Sequence, residues 1–394
     1  MKARHRTAPT DHDRVTPITP VAAGLVVAGL LAAAAACGPR TPPAPPEETV
    51  TVPRGGRVVI YVEAPRRNAG PILKSFTEQS DVEVEAIYRE TLGAAFLPRL
   101  KAEAAAGKVD LFWGASPLAA IDLARAGLAV PFRPAGARPV PGQFRDPQFR
   151  WIGFAVNPRV ILYNTRRLAR EEAPASIADL TGARWSGTVA VARIESGTPA
   201  FHAAALFSLW GPERARRFFD ALRTGGARIV EDDAAVRRLV ASGEALWGVL
   251  DLDEAICANR EAEPVHIMFP DRLSLGAVVS PYVAVLLRGA PHPAQAKGLY
   301  AYLFASETAW QLGMNDCALL TLIPDIPRPD WVPGLGMLNV ARLDNEAVFD
   351  AFRDNAPFFE SWGAGEPAAA APAGRSSPGA APRPSSSPPR SPKP

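Results

Sequence analysis

Hydrophobic positions beyond residue 56 follow two patterns that alternate along the chain. Short apolar runs predict buried strands, whereas apolar residues recurring every three or four positions predict helices. The predicted strands are 58–62, 82–88, 109–113, 187–194, 227–230, 245–250, 265–269 and 276–287. The predicted helices are 68–78, which starts around Pro71, then 94–106, 117–126, 199–210, 212–223, 232–242, 253–260 and 294–304, with further helical segments up to Trp362. This alternation predicts an α/β fold with a mostly parallel sheet covered by helices on both faces.

The pattern is interrupted once and then starts again. A loop rich in proline and arginine leads into the apolar run Trp151–Asn164, which Pro158 splits. Proline inside an extended run marks a bend or a sheet edge. Because the alternation restarts after it, we expect two α/β lobes, the first formed by 57–158 and 276–362 and the second by 159–275.

The turn between the strand 187–194 and the following helix is a candidate binding element. Thr198 is the expected N-cap of that helix, and Pro199 suits its first position because the missing N–H would have had no partner. Gly197 allows close approach of a ligand to the backbone, and the hydroxyl groups of Ser196 and Thr198 are additional donors. Free N–H groups and the helix dipole suit a phosphate or carboxylate. An ordinary capped helix is the alternative interpretation.

Acidic and aromatic residues at strand ends supply further candidates. Asp251, Asp253 and Glu254 end a predicted strand and open a helix, so they either face a ligand that carries a cation or amine, or cap the helix dipole. Trp113 either lines a ligand cavity or fills the core. Tyr282 lies in the last long strand as a hinge residue or a ligand contact.

Both ends of the chain differ from its middle. A basic start leads into the apolar run 21–36, which is short for a membrane span of about twenty residues. Its small residues end at Cys37, and this arrangement resembles a bacterial lipoprotein signal, so 1–36 is the expected signal peptide and Cys37 the lipidated residue. Secretion with cleavage after the alanines is the alternative. We expect 37–56 to be an extended proline-rich tether and 363–394 a disordered tail of Pro, Ala and Ser.

Composition and charge narrow the function classes. A chain of 394 residues with 47% apolar composition buries a large core. The formal net charge is +3, but both ends are net positive, and the part between them is slightly net negative and carries no basic run. This distribution argues against nucleic acid as a partner.

Cysteine and histidine are too few and too scattered for a zinc site of ordinary spacing. Cys257 and Cys317 lie on predicted helical segments far apart in sequence. Export to an oxidising compartment would permit a disulfide between them, and two buried free thiols are the alternative.

Several phrases of the sequence together resemble the extracellular solute-binding proteins of bacterial ABC importers, specifically the ferric-iron-binding group. The matching phrases are Pro71–Phe76, Asp110–Trp113, Trp151–Phe154, Arg159–Thr165, Asp179–Leu180, Trp185–Gly187, Gly197–Phe207, Leu239–Glu244, Asp251–Glu254 and Gly289–Lys297. The resemblance implies a two-lobed periplasmic-binding-protein type II fold with ligand in the cleft between lobes. The segments Asn157–Asn164 and Gly276–Leu287 would then cross between the lobes.

The anion-binding part of the family pattern carries over to this sequence. Ser196, Gly197 and Thr198 match the turn that holds a phosphate or carbonate beside the metal in iron binders. Arg159 matches an arginine near the same anion, and its donors suit a phosphate or carboxylate. The resemblance therefore implies that these four residues bind an anionic group.

The metal-binding part of the family pattern does not carry over. Adjacent tyrosines are replaced by Asp253 and Glu254, and a glutamate expected after strand 109–113 is replaced by Ala115. The loop after the first strand contains Glu63 but no histidine. Carboxylates such as Glu63 and Asp251 suit ferric iron in principle, so iron with a synergistic anion is a possible ligand, without a definite metal motif.

Together these features predict a monomeric, lipid-anchored solute-binding protein outside the cytoplasm that delivers a small ligand to an ABC permease. The expected ligand is iron(III) or another cation with a bridging anion, or a small organic molecule bearing phosphate or carboxylate. We expect no catalysis, since the chain has no GxSxG motif. An exported enzyme and a surface interaction lipoprotein are the alternatives.

Overall fold

The computed structural model describes residues 44–328 and 330–363. The predicted signal peptide, Cys37, the first part of the tether and the tail beyond residue 363 lie outside the described residues. Among the helices that the structure describes, none combines the length and apolar character needed to cross a bilayer.

Strands and helices alternate through most of the described chain. The strands are β1 Glu47–Glu48, β2 Arg57–Val62, β3 Glu83–Tyr88, β4 Leu111–Gly114, β5 Ala129–Val130, β6 Arg133–Pro134, β7 Ile152–Asn164, β8 Val189–Ala192, β9 Arg228–Val230, β10 Trp247–Asp251, β11 Val265–Met268, β12 Val279–Leu287 and β13 Leu320–Thr321. The helices are α1 Arg66–Ser80, α2 Arg89–Leu92, α3 Phe96–Ala105, α4 Pro117–Arg125, α5 Gly197–Trp210, α6 Pro212–Thr224, α7 Asp233–Ser242, α8 Leu252–Arg260, α9 Pro293–Leu303, α10 Ser306–Met314, α11 Asn345–Asp354 and α12 Ala356–Gly363. Most predicted elements are therefore present, with ends displaced by a few residues.

The strands form a sheet in the order β3-β2-β4-β12-β7-β10-β8-β9. β2 pairs in parallel with β3 and β4, and β8 pairs in parallel with β9 and β10. The two parallel groups are joined by β12 and β7, which run antiparallel to each other and to their outer neighbours. The expected parallel pairing thus holds within each group and changes where the groups meet.

β7 connects the two lobes of this fold. Its residues up to Pro158 pair with β12, and those from Arg159 onward pair with β10. Every residue of the strand is buried, so Pro158 lies inside a central strand and not at an edge. Because proline lacks an N–H, it is compatible with the point where the partner strand changes.

The predicted α/β class with two lobes and a cleft is confirmed. The first lobe contains β2–β4 with β12, and the second contains β8–β11, so the chain crosses once within β7 and again before β12. The residue boundaries at 158/159 and 275/276 stay a prediction.

Helix α1 begins at Arg66, so the predicted start around Pro71 is wrong. Proline inside a helix leaves the carbonyl four residues earlier without its usual N–H partner. That carbonyl belongs to Arg67, and the Asn315 side-chain amide donates to it at 3.3 Å. A side chain distant in sequence therefore supplies the donor that the proline lacks.

The later part of the predicted tether packs against the first lobe. Glu47 and Glu48 form β1, which pairs in parallel with β6. Arg138 donates to Glu47 at 2.6 Å, and Lys297 donates to Glu48 at 2.6 Å. The prediction that 37–56 is an extended tether without packing is therefore wrong for the described residues from 44 onward.

Candidate ligand-binding cleft

A cavity of about 680 Å³ opens between the two lobes, at the carboxyl ends of β2, β4, β8 and β10. Parallel strands present their carboxyl ends at one edge of a sheet, where ligands of α/β folds bind. Eight of the predicted contact residues line this cavity: Glu63, Ser196, Gly197, Thr198, Asp251, Asp253, Glu254 and Tyr282. The structure therefore brings together residues spread over most of the chain.

The turn before α5 has a different cap from the one predicted. The helix begins at Gly197, whose φ of +67° is readily adopted only by glycine, and Ser196 occupies the N-cap position without a side-chain hydrogen bond to the helix. Thr198 is already inside the helix, so its expected role as N-cap is wrong. The first N–H groups of a helix have no partner within it, and here they belong to residues that line the cavity.

The Thr198 hydroxyl contacts the acidic wall of the second lobe. It donates to the Asp251 carboxylate at 2.6 Å, in a buried contact. The Thr198 hydroxyl therefore donates to an acid, and the donors left to this turn for an anion are its backbone N–H groups and the Ser196 hydroxyl.

Arg159 does not line the cavity, which corrects its predicted role as an anion ligand. Its side chain is buried and donates to Asp251 at 3.0 Å, to Asp233, and to the Val249 carbonyl at 3.1 Å. The cause is strand register, because Arg159 on β7 lies opposite Asp251 on β10. The guanidinium neutralises two acids beneath the cavity surface.

Trp113 is also absent from the cavity lining. It is fully buried, and its ring packs edge-on against Phe154 at 5.0 Å between centroids. The structure places Trp113 in the core, which corrects its prediction as a ligand contact. Tyr282 lines the cavity while only 1% exposed, so little more than one edge of its side chain reaches a ligand.

Glu63 enters the cavity from the first lobe as part of an ion pair. The Arg89 side chain donates to it at 2.9 Å, and the Ala115 N–H donates at 3.2 Å. Burial raises the pKa of Glu63 despite the opposing effect of Arg89.

Asp233 was missed by the sequence interpretation. It is the first residue of α7, lines the cavity, and is 8% exposed. Its neighbour Asp232 is the N-cap and accepts a hydrogen bond from the Ala235 N–H at 2.8 Å. The sequence feature that could have revealed Asp233 is the acidic triplet Glu231-Asp232-Asp233 at a strand–helix junction. Helix capping accounts for only one of these three acids.

Arg67 was also missed, because it belongs to the other lobe. Its guanidinium reaches from α1 to Asp253 at 3.0 Å and to Glu254 at 2.7 Å. Asn157 on β7 donates to Asp253 at 2.9 Å, and Asn68 donates at 3.2 Å. These contacts join the two lobes along one side of the cavity.

The cavity lining carries a clear excess of acids. Nine carboxylates and three guanidinium groups line it: Glu63, Glu90, Glu195, Glu231, Asp232, Asp233, Asp251, Asp253, Glu254, Arg67, Arg89 and Arg193. Burial raises the pKa of Asp251 to about 8, against the opposing effect of Arg159. Burial, reinforced by the adjacent Asp253 carboxylate, raises the pKa of Glu254 to about 7. These carboxylates are therefore poised to accept a proton or a cation.

No group of three or more His, Cys, Asp or Glu side chains among the described residues is arranged to hold a metal ion. The reason is visible at Asp251 and Asp253, whose oxygens all accept hydrogen bonds from protein donors. The predicted carboxylate set thus reaches the cavity without forming a metal centre in this arrangement.

Cys257 and Cys317 form a disulfide, with Cα atoms 4.7 Å apart. Of the two interpretations made from the sequence, the disulfide is therefore the one found in the structure. The bond links α8 to the segment after α10, and Arg260 pairs with Asp316 beside it at 2.8 Å. α8 is thus tied to the first lobe both by Arg67 and by a covalent bond.

Two α/β lobes around a charged cleft define the class of type II periplasmic binding proteins. Residues 108–316, more than half of the chain, match the family described as bacterial extracellular solute-binding protein. The chain belongs to this family.

Individual relatives are distant but similar in fold. An Fe(3+)-binding periplasmic protein of Serratia marcescens is 23% identical over 209 residues, which cover 52% of this chain and 61% of that relative. The apo ferric ion-binding protein A of Pasteurella haemolytica superposes with a TM-score of 0.70 at 18% identity, over 78% of this chain and 97% of its own. AfuA of Actinobacillus pleuropneumoniae, solved with fructose-6-phosphate, superposes with a TM-score of 0.67 at 19% identity, over 78% of this chain and 97% of its own.

Proposed function

We propose that this protein is the solute-binding component of an ABC importer, which captures a small solute bearing positive charge in the cleft between its lobes. Delivery is to a permease, on the outer side of the cytoplasmic membrane. The observation that carries the proposal is the lining of the cavity, where nine carboxylates outnumber three guanidinium groups.

The excess of acid favours a cationic ligand for a physical reason. Removing carboxylates from water is costly unless each is paired or protonated. Arg67 and Arg89 already pair with acids of the lining. The buried Asp233 and Asp251 share the single guanidinium of Arg159. A bound cation would lower this electrostatic cost.

Among cationic solutes, an organic molecule with an amine or guanidinium group fits best. A metal ion would need several oxygens at once, and those of Asp251 and Asp253 already accept hydrogen bonds from protein donors, whereas an N–H group needs only one acceptor. The turn Ser196–Thr198 supplies backbone N–H groups for a phosphate or carboxylate on the same molecule. AfuA, which was solved with a sugar phosphate, shows that an organic solute is compatible with this fold.

Ferric iron with a bridging anion is the second candidate. It is favoured by the similarity to the Fe(3+)-binding protein of Serratia and the ferric ion-binding protein of Pasteurella. Carboxylates suit such a hard cation, but Asp253 and Glu254 would have to leave Arg67 before either coordinated a metal.

Thermal-shift and native mass spectrometry measurements on the purified protein test the proposal. A ligand that binds only the folded state adds about 2.7 kcal/mol of stability at a hundred times its Kd. We expect stabilisation by amine-bearing solutes, and by ferric citrate if the second candidate is correct. Stabilisation by purely anionic solutes alone would contradict the proposal.

Anchoring through a lipid on Cys37 is part of the same proposal. It is supported by the sequence pattern of 21–37 and by the family's extracellular description. Replacing Cys37 by Ser should release the protein from membranes during fractionation. Retention of Cys37→Ser at the wild-type level would argue against the anchor.

A further inference from the structure

The disulfide between Cys257 and Cys317 joins the two lobes close to the strand that connects them. Helix α8, which carries Cys257, packs on β7 and β10. Cys317 lies between α10 and β13 of the first lobe, and β13 pairs with β7 at Val156 and Ala155. The bond therefore bridges the lobes beside the crossing point of the chain.

The disulfide lies on the same side of the cleft as the Arg67 ion pairs. Glu254 precedes Cys257 by one helical turn, which is about 5 Å along the axis of α8. Asn315 precedes Cys317 by two residues, and its side chain donates to the Arg67 carbonyl at 3.3 Å. Arg67 in turn pairs with Glu254 at 2.7 Å. The covalent bond and the ion pair thus hold the same two segments together.

A disulfide sets a firm limit on separation at this point. The Cα atoms of two linked cysteines stay within about 7 Å of each other, and those of Cys257 and Cys317 are 4.7 Å apart. Here α8 can therefore move away from the first lobe by only about 2 Å while the bond is intact. The pair between Arg260 and Asp316 beside the bond is exposed, so it adds little to this limit.

The outer edges of the sheet carry no comparable restraint. β3 and β9 are the two edge strands, furthest from the central β12 and β7. Residues 89–93 follow β3, residues 231–233 follow β9, and both segments contribute to the cavity lining. Their side chains pair within their own lobes, as Arg89 does with Glu63 and Glu231 with Arg238. Nothing in these contacts holds the two segments to each other.

We propose that the disulfide is a strap beside the hinge, which limits opening on the side of α8 and makes the cleft open at its outer edge, between 89–93 and 231–233. In a hinge motion the displacement grows with distance from the hinge, so the outer segments part most. A solute enters between these two segments. The inference concerns the motion of the lobes, so it goes beyond the proposed function and does not depend on which solute is bound.

The test compares two distances across the cleft, measured between spin labels by pulsed electron spin resonance without solute. The inner pair of labels lies on α1 and α8, and the outer pair lies on α2 and α7. Each label is attached to an introduced Cys in Cys37→Ser protein, so that Cys257 and Cys317 are the only other cysteines. The labelled positions are exposed and do not line the cavity: Lys74 and Asn259 for the inner pair, Thr91 and Arg238 for the outer pair.

We expect a narrow inner distance distribution and a broad outer one while the disulfide is intact. Changing both Cys257 and Cys317 to Ser should broaden the inner distribution and shift it to longer distances, with a smaller change in the outer one. An inner distribution that is the same with and without the disulfide would overturn the strap. An outer distribution as narrow as the inner one would overturn opening at the outer edge.

A measurement on the natural cysteines covers the case in which the serine variant does not fold. Dithiothreitol gives two hydrogens to the disulfide, which becomes two thiols while the reagent becomes a cyclic disulfide. Small-angle X-ray scattering of Cys37→Ser protein should then show a larger radius of gyration than with the oxidised reagent, which is the control. An unchanged radius would overturn the strap and leave solute capture untouched, because thermal shifts with the candidate solutes test that function separately.

Discussion

Two arginines hold the acids of the cleft, and they do so in different ways. Arg159 is 4% exposed in its side chain and pairs with Asp233 and Asp251 of its own lobe. Arg67 is 37% exposed and pairs with Asp253 and Glu254 across the cleft. The first pair lies within one lobe, whereas the second bridges the two lobes on the helix that also carries the Cys257–Cys317 disulfide. One pair therefore belongs to a single lobe, and the other helps to hold the cleft closed.

The largest expected effect comes from removing Arg159. Arg159→Met leaves Asp233 and Asp251 buried without their cation, and breaking a buried ion pair costs about 3–5 kcal/mol of unfolding free energy. Guanidinium chloride unfolding measures this loss. Arg193→Met is the control, since Arg193 is exposed, and it should stay within about 0.5 kcal/mol of the wild type. Equal losses in both variants would remove the distinction.

The disulfide is the covalent counterpart of the Arg67 contact, because both tie α8 to the first lobe. The double variant Cys257→Ser, Cys317→Ser should lose about 2–4 kcal/mol of unfolding free energy. The same equilibrium measurement on reduced wild-type protein should agree with the variant. A variant as stable as the oxidised wild type would show that this tie contributes nothing.

Removing Arg67 should have a smaller effect on stability and a visible effect on shape. Arg67→Met leaves Asp253 with its amide donors from Asn157 and Asn68, so we expect a loss of about 1–2 kcal/mol. Small-angle X-ray scattering without ligand should show a larger radius of gyration, since one contact between the lobes is gone. Arg66→Met is the matched control, as its pair with Glu90 is exposed and 3.9 Å long. An unchanged radius in Arg67→Met would contradict the closing role.

The pH dependence of stability gives the smallest expected effect. The pKa of Asp251 is about 8 in the folded protein, above the ordinary carboxyl value of about 3.9 in the unfolded chain. Between these values the folded state binds more protons, so unfolding free energy falls as pH rises through this window. We expect a fall of about 1 kcal/mol between pH 7 and pH 8, and a shallower slope in Asp251→Asn. Identical slopes would show that Asp251 does not carry the effect.

Much of the cleft could be predicted because it follows from local patterns. The carboxyl ends of the strands placed Glu63 and Asp251 at one edge of the sheet, and the turn at Gly197 was recognised from its residues. The hydrogen-bond and ion-pair partners of the side chains could not be predicted. The pairing of Arg159 with Asp251 depends on the register between β7 and β10, whose paired residues at this point lie more than ninety positions apart in sequence.

Arg67 and Asp233 show two further limits of the sequence interpretation. Arg67 meets its acids only because the lobes fold against each other, and no local pattern reports that contact. Asp233 was hidden by its neighbour, since acids at a helix start are explained by capping, and Asp232 is indeed the cap. Its burial exists only in three dimensions.

The position of β12 has a consequence for the order in which the chain can fold. This strand lies between β4 and β7 in the sheet, yet it follows the whole second lobe in sequence. The hydrogen bonds of β8–β11 need only residues already present by the end of β11, so the second lobe can assemble first. The first lobe has to hold β2–β4 without their central neighbour until β12 arrives. When the chain folds from its N-terminal end, its earliest part is therefore the last to complete its sheet.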